Sequence, residues 1–382
     1  MKEVLMGDFA VARAVQLARV EVISAYPITP QTLIVEELSE ICGRGDLDAK
    51  FIKVESEHSA LACCMGASMA GARTFTATAS QGLLLMHEIM HWSAGARTPI
   101  VMANVNRAIA PPWNLWSDQT DSLAQRDTSW LQFYCENNQE VLDTVIQSFK
   151  IAEHLLLPTM LVLDAFILSH TSEVVDVPDQ ELVDRFLPPF RPDIKLDTSD
   201  PRAFGSITGA EDYQKLKQMR HEDMIGSIDY IKNIDNEYEE LFGRNYGVVE
   251  PYKCDDAEII LVTSGTLSGT SRNAIDMLRD SGIAAGSLKI RLFRPFPIED
   301  IIAATGDCKK IISIDRNMSV GVGGIFTQEI KAGLYGHEYS PEIYEVIGGL
   351  GGGDFTPENT AGIIRRGLEG KLDSSKINWE EL

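Results

Sequence analysis

Five short apolar, β-prone runs in the N-terminal part of the chain alternate with stretches of helical spacing, and this alternation restricts the fold more than any other feature. The runs are Val22–Tyr26, Phe51–Val54, Thr74–Ala79, Ile100–Asn104 and Thr159–Asp164. Between them, Pro30 to about Cys42, His58–Ala70, Leu83–Ala94 and Val141–Leu155 carry apolar residues at helical intervals. Thr29 offers an N-cap and Pro30 suits the first helical position. Ser80-Gln81-Gly82 reads as a turn, and the Ala, Gly, Ser and Cys residues of 58–70 would let that helix approach a sheet closely. Strands joined through helices rather than tight hairpins pair in parallel, with helices covering both faces of the sheet.

The segment 173–253 breaks the pattern. It contains Pro-Pro and Asp-Pro turns, few apolar clusters and a charged helical stretch around Gln214–Leu241, and is read as an excursion and linker packing on the first unit, not as a core. A second α/β unit follows, with strands at Ile259–Val262, Lys289–Leu292, Ile311–Ile314 and Ile343–Val346 and a helix near Ser268–Arg279. The chain is therefore divided into 1–172, 173–253 and 254–382, an α/β protein of two domains, each a mostly parallel sheet covered by helices.

Charge and cysteine usage narrow the function. With 34 Lys and Arg against 56 Asp and Glu the net charge is −22, which repels phosphate backbones and anionic lipid, so nucleic acid and membrane surfaces are poor partners. No apolar run approaches the roughly 18 residues of a membrane span, and the N-terminus lacks the zones of a signal peptide. Six cysteines without a CxxC fit a reduced, cytoplasmic enzyme, and the close thiolate spacing of an iron–sulfur site is missing.

Ligands of an open parallel sheet bind beyond the carboxyl ends of its strands. The residues that follow the N-terminal strands are Pro27–Thr32, Glu55-Ser56-Glu57, Ser80–Gly82 and Asn106-Arg107. Together they bring a hydroxyl, a carboxylate, a small polar turn and a guanidinium to one edge, a set suited to an anionic substrate. Glu57, entering a helix behind apolar strands, is the carboxylate best placed for desolvated hydrogen-bond chemistry. By position alone each has an ordinary alternative: Glu57 as a first-turn acid, Arg107 as a surface ion pair, Thr29 as a plain cap, and Cys63-Cys64 as packing.

AYPITPQT (Ala25–Thr32), ESEHSA (Glu55–Ala60), TASQGLLLM (Thr78–Met86) and the long string Asn106–Tyr134 resemble the α subunit of the pyruvate:ferredoxin oxidoreductases, a thiamine-dependent 2-oxoacid oxidoreductase family. The resemblance continues through ENNQEVLD (Glu136–Asp143), DAFILSHTSE (Asp164–Glu173), PDQELVDRFLPPF (Pro178–Phe190), RPFP (Arg294–Pro297) and GGLGGGDFTPE (Gly348–Glu358), nearly the whole chain. It implies a pyrimidine-binding-like domain for thiamine diphosphate followed by a transketolase C-terminal-like domain. It implies that Glu57 hydrogen-bonds the aminopyrimidine ring and so promotes loss of the cofactor's C2 proton. Pro27, Ile28, Ser80 and Gln81 would line the cofactor, and Thr29 and Arg107 would hold the substrate carboxylate. The reaction implied is oxidative decarboxylation of pyruvate with coenzyme A, electrons passing to ferredoxin.

The chain has no GDG sequence for the diphosphate and Mg²⁺ and no ligand set for [4Fe-4S] clusters. The resemblance places these on a β subunit and a ferredoxin-like δ subunit, with a γ subunit beside them, so this chain is expected to supply half an active site and to be inert alone. Another small 2-oxoacid, or oxalate, could replace pyruvate; Trp113, if it faces the site, would narrow it. A purely structural partner is the non-enzymatic alternative. His87-Glu88-Ile89-Met90-His91 matches the HExxH of zinc proteases, but Ala94 and Arg97 occupy the positions where the extended motif has Gly and His. Neither Gly321–Gly324 nor Gly348–Gly353 completes a dinucleotide fingerprint.

Overall fold

A computed structural model describes residues 1–381. The chain begins β1 (Lys2–Met6), α1 (Gly7–Leu17), β2 (Val22–Ala25), α2 (Thr32–Arg44), β3 (Lys50–Lys53), α3 (Glu57–Met69), β4 (Thr74–Thr78), α4 (Ser80–Leu85) and α5 (His87–Gly95). It continues β5 (Ile100–Asn106), α6 (Thr120–Leu123), β6 (Leu131–Tyr134), α7 (Asn138–Leu155), β7 (Thr159–Asp164), β8 (Ser172–Asp176), α8 (Gln180–Phe186) and α9 (Ala210–Phe242). The remainder is β9 (Val249–Tyr252), β10 (Ile259–Thr263), α10 (Leu267–Asp280), β11 (Ala285–Ile290), β12 (Leu292–Arg294), α11 (Ile298–Thr305), β13 (Lys310–Asp315), α12 (Ile325–Leu334), β14 (Glu342–Gly348), α13 (Pro357–Leu368) and β15 (Ile377–Glu380).

The first sheet has seven strands in the order β12-β6-β7-β5-β4-β2-β3. All its pairings are parallel except β12 against β6. The second has six in the order β15-β14-β13-β10-β11-β9, parallel except β9 against β11. The parallel α/β class follows from the alternation that the sequence displays. The chain runs from β2 outward to β3 and then crosses to β4 on the other side of β2, so the sheet changes winding direction between β2 and β4. A crevice opens at such a switch point, beyond the carboxyl ends of the two strands.

The two units share apolar material. Ala60, Leu61 and Cys64 of α3 and Leu83 and Met90 of α4–α5 lie in one cluster with Ile260, Val262, Leu288, Ile290 and Phe326 of the second unit. Helices α3–α5 are therefore sandwiched between the two sheets. The opposite face of the first sheet is covered by α1, α2 and α7. Ion pairs also cross the junction: Lys289 Nζ lies 2.8 Å from Glu140 Oε2, and Arg316 Nη1 lies 3.2 Å from Asp164 Oδ2, all four side chains buried.

Several local expectations change. Thr29 is not an N-cap: α2 starts at Thr32, Gln31 precedes it, and no side chain caps it. Residues 80–82 are not a free turn but the first turn of α4, and the helix expected over 83–94 is divided at Met86 into α4 and α5. The segment 173–253 does more than link. β8 pairs antiparallel with β1, and Val175, Val183, Phe186, Ile231, Ile234 and Tyr238 are buried in the core of the first unit. Short strands β1, β6, β8, β9 and β12 were not legible as periodic runs.

Candidate active site

Four strand ends converge at the switch point. After β2 the loop 26–31 is drawn against the sheet by Gln31, a fully buried side chain whose Nε2 donates to the Ala77 carbonyl at 2.6 Å and whose Oε1 accepts from the Ile28 amide at 3.3 Å. This long-range anchoring, rather than local capping, sets where α2 begins. Pro27 and Thr29 lie exposed on that loop, and Ile28 is half-buried.

After β3, Ser56 caps α3 through its Oγ, which accepts from the Ser59 amide at 3.2 Å, and Glu57 takes the first helical position. Small residues bring α3 down onto β2 and β4, and Cys64 Sγ contacts the Phe75 carbonyl at 3.3 Å. Glu57 is only 7% exposed, yet its carboxylate accepts no hydrogen bond from any other described residue. It lies over Gly82, where a Cβ would come 2.7 Å from Glu57 Oε1 and 2.6 Å from Thr78 Oγ1. Only glycine leaves room for the acid there.

After β4, Ser80 adopts a left-handed φ of 47°, which is uncommon for a residue with a side chain. Its amide donates to Asp121 Oδ2 at 2.8 Å, and its hydroxyl lies 2.6 Å from Gln81 Oε1 and 2.8 Å from the Ala108 carbonyl. After β5, Arg107 is buried, so the surface alternative fails. Its Nη1 donates to the Thr29 main-chain carbonyl at 2.6 Å and its Nη2 to Gln81 Oε1 at 2.5 Å. Burial lowers the guanidinium's pKa from its ordinary value, and the charges of Asp121 and Glu57 oppose that shift. Arg107 Nε and Gln81 Nε2 are buried without partners among the described residues, as is the hydroxyl of Thr78.

Sequence reasoning missed three contributors: Gln31, Asp121 and the closeness of Gly82. Asp121, on the one-turn helix α6 between β5 and β6, is fully buried; burial pushes its carboxyl up to about 7 while hydrogen bonds from Ser80, Asn104, Arg107 and Ser122 hold it down. No periodic pattern marks it, because all its partners but the neighbouring Ser122 lie 14 to 41 residues away in sequence.

Other singled-out residues lie apart. His87 Nδ1 is 2.6 Å from Gln125 Oε1, the His87 and His91 rings meet edge to face at 4.9 Å, and Glu88 is 74% exposed. Among the described residues no three His, Cys, Asp or Glu side chains are grouped to hold a metal ion. Trp113 is 76% exposed, so it narrows no cavity of this chain by itself.

Chemically, the crevice presents an acid with no internal partner beside two unused donors and a buried cation. Such a set can accommodate a proton donor at Glu57 and a small anion at Arg107.

Comparison with known proteins gives the arrangement a context. Residues 13–237 match the family model described as pyruvate flavodoxin/ferredoxin oxidoreductase, thiamine diphosphate-binding, and residues 257–360 match pyruvate:ferredoxin oxidoreductase core domain II. Ketoisovalerate oxidoreductase subunit VorA of Pyrococcus horikoshii is 47% identical over all of this chain and 98% of its own. Pyruvate synthase subunit PorA of Methanothermobacter thermautotrophicus is 48% identical over 95% of this chain and 94% of its own. A 2-oxoglutarate:ferredoxin oxidoreductase from Magnetococcus marinus superposes with a TM-score of 0.75 at 19% identity, covering 96% of this chain and 65% of that longer one. A split-gene transketolase superposes at 0.56 and 13% identity over 96% of this chain and 99% of that one, a likeness of fold alone.

Proposed function

The chain belongs to the pyruvate flavodoxin/ferredoxin oxidoreductase family, and from that premise we propose that it is the α-type subunit of a complex that oxidatively decarboxylates pyruvate with coenzyme A. The products are acetyl-CoA and CO₂, with two electrons passing to ferredoxin, and the reaction is reversible. The observation that carries this reading is the unpartnered, nearly buried Glu57 seated over Gly82 at the switch point.

The residues present fit thiamine diphosphate. An acid without an internal partner, a cradle that a Cβ would fill, and orphaned buried donors are what an aminopyrimidine ring and a 2-oxoacid would complete. When bound, the cofactor supplies the carbon centre that accepts the electron pair released on decarboxylation. Glu57 would hold or yield a proton at the ring nitrogen facing it, a task for a carboxylate because it serves both protonation states. Pro27, Ile28, Ser80 and Gln81 would border the ring. Arg107 would take the 2-oxoacid carboxylate at its buried Nε, the one guanidinium nitrogen without a partner among the described residues, while the Thr29 carbonyl and Gln81 keep its other nitrogens occupied and its plane fixed. The exposed Thr29 side chain is the second contact to that carboxylate. The diphosphate and Mg²⁺ are assigned to a β subunit and the [4Fe-4S] clusters to a ferredoxin-like δ subunit, with γ beside them. The six cysteines, all free among the described residues, support a cytoplasmic setting.

The VorA relatives favour a second reading, a branched 2-oxoacid in place of pyruvate. Dye reduction by the assembled complex with pyruvate, 2-ketoisovalerate, 2-oxoglutarate and oxalate separates the two: the highest kcat/KM is expected for pyruvate, and a higher value for 2-ketoisovalerate selects the branched acid. In the same complex, Glu57→Gln should slow C2-proton exchange of thiamine diphosphate by about a hundredfold. An exchange rate equal to wild type would remove Glu57 from the chemistry and leave the chain a structural partner.

A further inference from the structure

One buried titratable group has no part in the chemistry described so far and ties together two of the four segments that build the site, those after β4 and β5. Asp121 Oδ2 accepts three hydrogen bonds, from the Ser80 amide at 2.8 Å, Asn104 Nδ2 at 3.2 Å and the Arg107 amide at 3.2 Å, and Oδ1 accepts a fourth from the Ser122 amide at 2.7 Å. Ser80 and Arg107 follow the ends of different strands, β4 and β5. The side chains they govern meet one step further out, where Ser80 Oγ and Arg107 Nη2 both reach Gln81 Oε1. The left-handed turn at Ser80 is held by that same amide bond to Asp121.

We propose that Asp121 is the positioning residue of the substrate site: by gripping the main-chain amides of Ser80 and Arg107 at once, its carboxylate fixes the Gln81–Arg107 contact and thereby aims the guanidinium at the 2-oxoacid carboxylate. The inference rests on the assignment of Arg107 to that carboxylate and names the residue that maintains it. Only an ionised carboxylate accepts four donors without presenting a proton of its own; a neutral acid or an amide turns a donor toward an N–H. The grip is therefore present above the carboxyl's raised pKa of about 7 and weakens as pH falls through it. The other titratable or charged groups around it are Arg107, whose charge also feels Glu57 on α3, Tyr134 on β6 through Ser122 Oγ, and His87 on α5 through Gln125, which donates to the Asp121 main-chain carbonyl.

The test uses the assembled complex. Asp121→Asn should raise the KM for the 2-oxoacid by about tenfold or more while C2-proton exchange of thiamine diphosphate stays within about threefold of wild type. Wild-type KM should climb as pH falls below about 7, and this limb should be absent in the variant. An unchanged KM, or exchange lost in step with KM, overturns the proposal, because the first means no positioning and the second a general collapse of the site. Where Asp121→Asn does not assemble, the wild-type profile decides: a KM flat across that range overturns the inference. Its failure is separable from failure of the functional reading. If Glu57→Gln slows exchange and Arg107→Ala raises KM while Asp121→Asn does neither, only the positioning role falls; if the first two variants are silent, the reading beneath it falls.

Discussion

A methyl group on Gly82 would sit 2.7 Å from Glu57 Oε1 and 2.8 Å from Glu57 Cγ, closer than real contacts allow. The cheapest relief is for the acid to swing away and the Thr78 hydroxyl, 2.6 Å from the same methyl, to turn aside, so Gly82→Ala should leave the fold standing and displace the carboxylate assigned to the cofactor ring. The expected outcome is a loss of about 1–3 kcal/mol in stability from overpacking, read by urea unfolding, with C2-proton exchange depressed nearly as far as in Glu57→Gln. Exchange at the wild-type rate would show that the acid tolerates the shift. At this scale the sequence was partly legible. Glu57 and Arg107 stand out because a helix start and a strand end present them together, but the roles of Gly82, Gln31 and Asp121 depend on contacts 14 to 46 residues distant in sequence, or on the absence of a side chain.

Elements report the same division. Strands β2, β4, β5, β7, β10 and β13 were visible as apolar runs because both faces of a parallel sheet are buried. Thr29 and Pro30 point to an earlier start for α2 than the structure has, because capping rules are local, whereas Gln31 is fixed by a carbonyl of β4. The division at Met86 was invisible because apolar spacing continues across a corner where the methionine itself is fully buried. β12 carries no signal of its sheet: a three-residue strand from the second unit completes the edge of the first. Beside it, Glu140 of α7 holds Lys289 at 2.8 Å and Arg291 at 3.1 Å, all three buried. Burial works against the Lys289 charge, but Glu140, Glu136 and Glu250 together hold its pKa above the ordinary value. Glu140→Ala would strand Arg291 and weaken Lys289, so it should cost roughly 3 kcal/mol and lower the unfolding midpoint of both units together. A loss below about 1 kcal/mol would mean that the network is not a stabilising junction.

At the scale of the whole molecule, the two units share one apolar core around α3–α5, so the elements carrying Glu57 and Ser80 are clamped between two sheets. A site held this way can be pre-organised before any partner arrives, and so the chain should fold alone while remaining unable to turn over substrate. Purified by itself it is expected to unfold cooperatively and to show no 2-oxoacid-dependent dye reduction; activity should appear only on adding a subunit that brings the diphosphate and Mg²⁺ site. Turnover by the isolated chain with thiamine diphosphate and Mg²⁺ would contradict the division of labour. Among the described residues no helix is long and apolar enough to cross a membrane. The central claim, that this chain contributes the acid acting on the cofactor ring, is tested most directly by one distance in the assembled, cofactor-loaded complex. The account predicts Glu57 within hydrogen-bond reach of an aminopyrimidine nitrogen, about 2.6–3.0 Å; a carboxylate turned to solvent, or separated from the ring by another side chain, would contradict it.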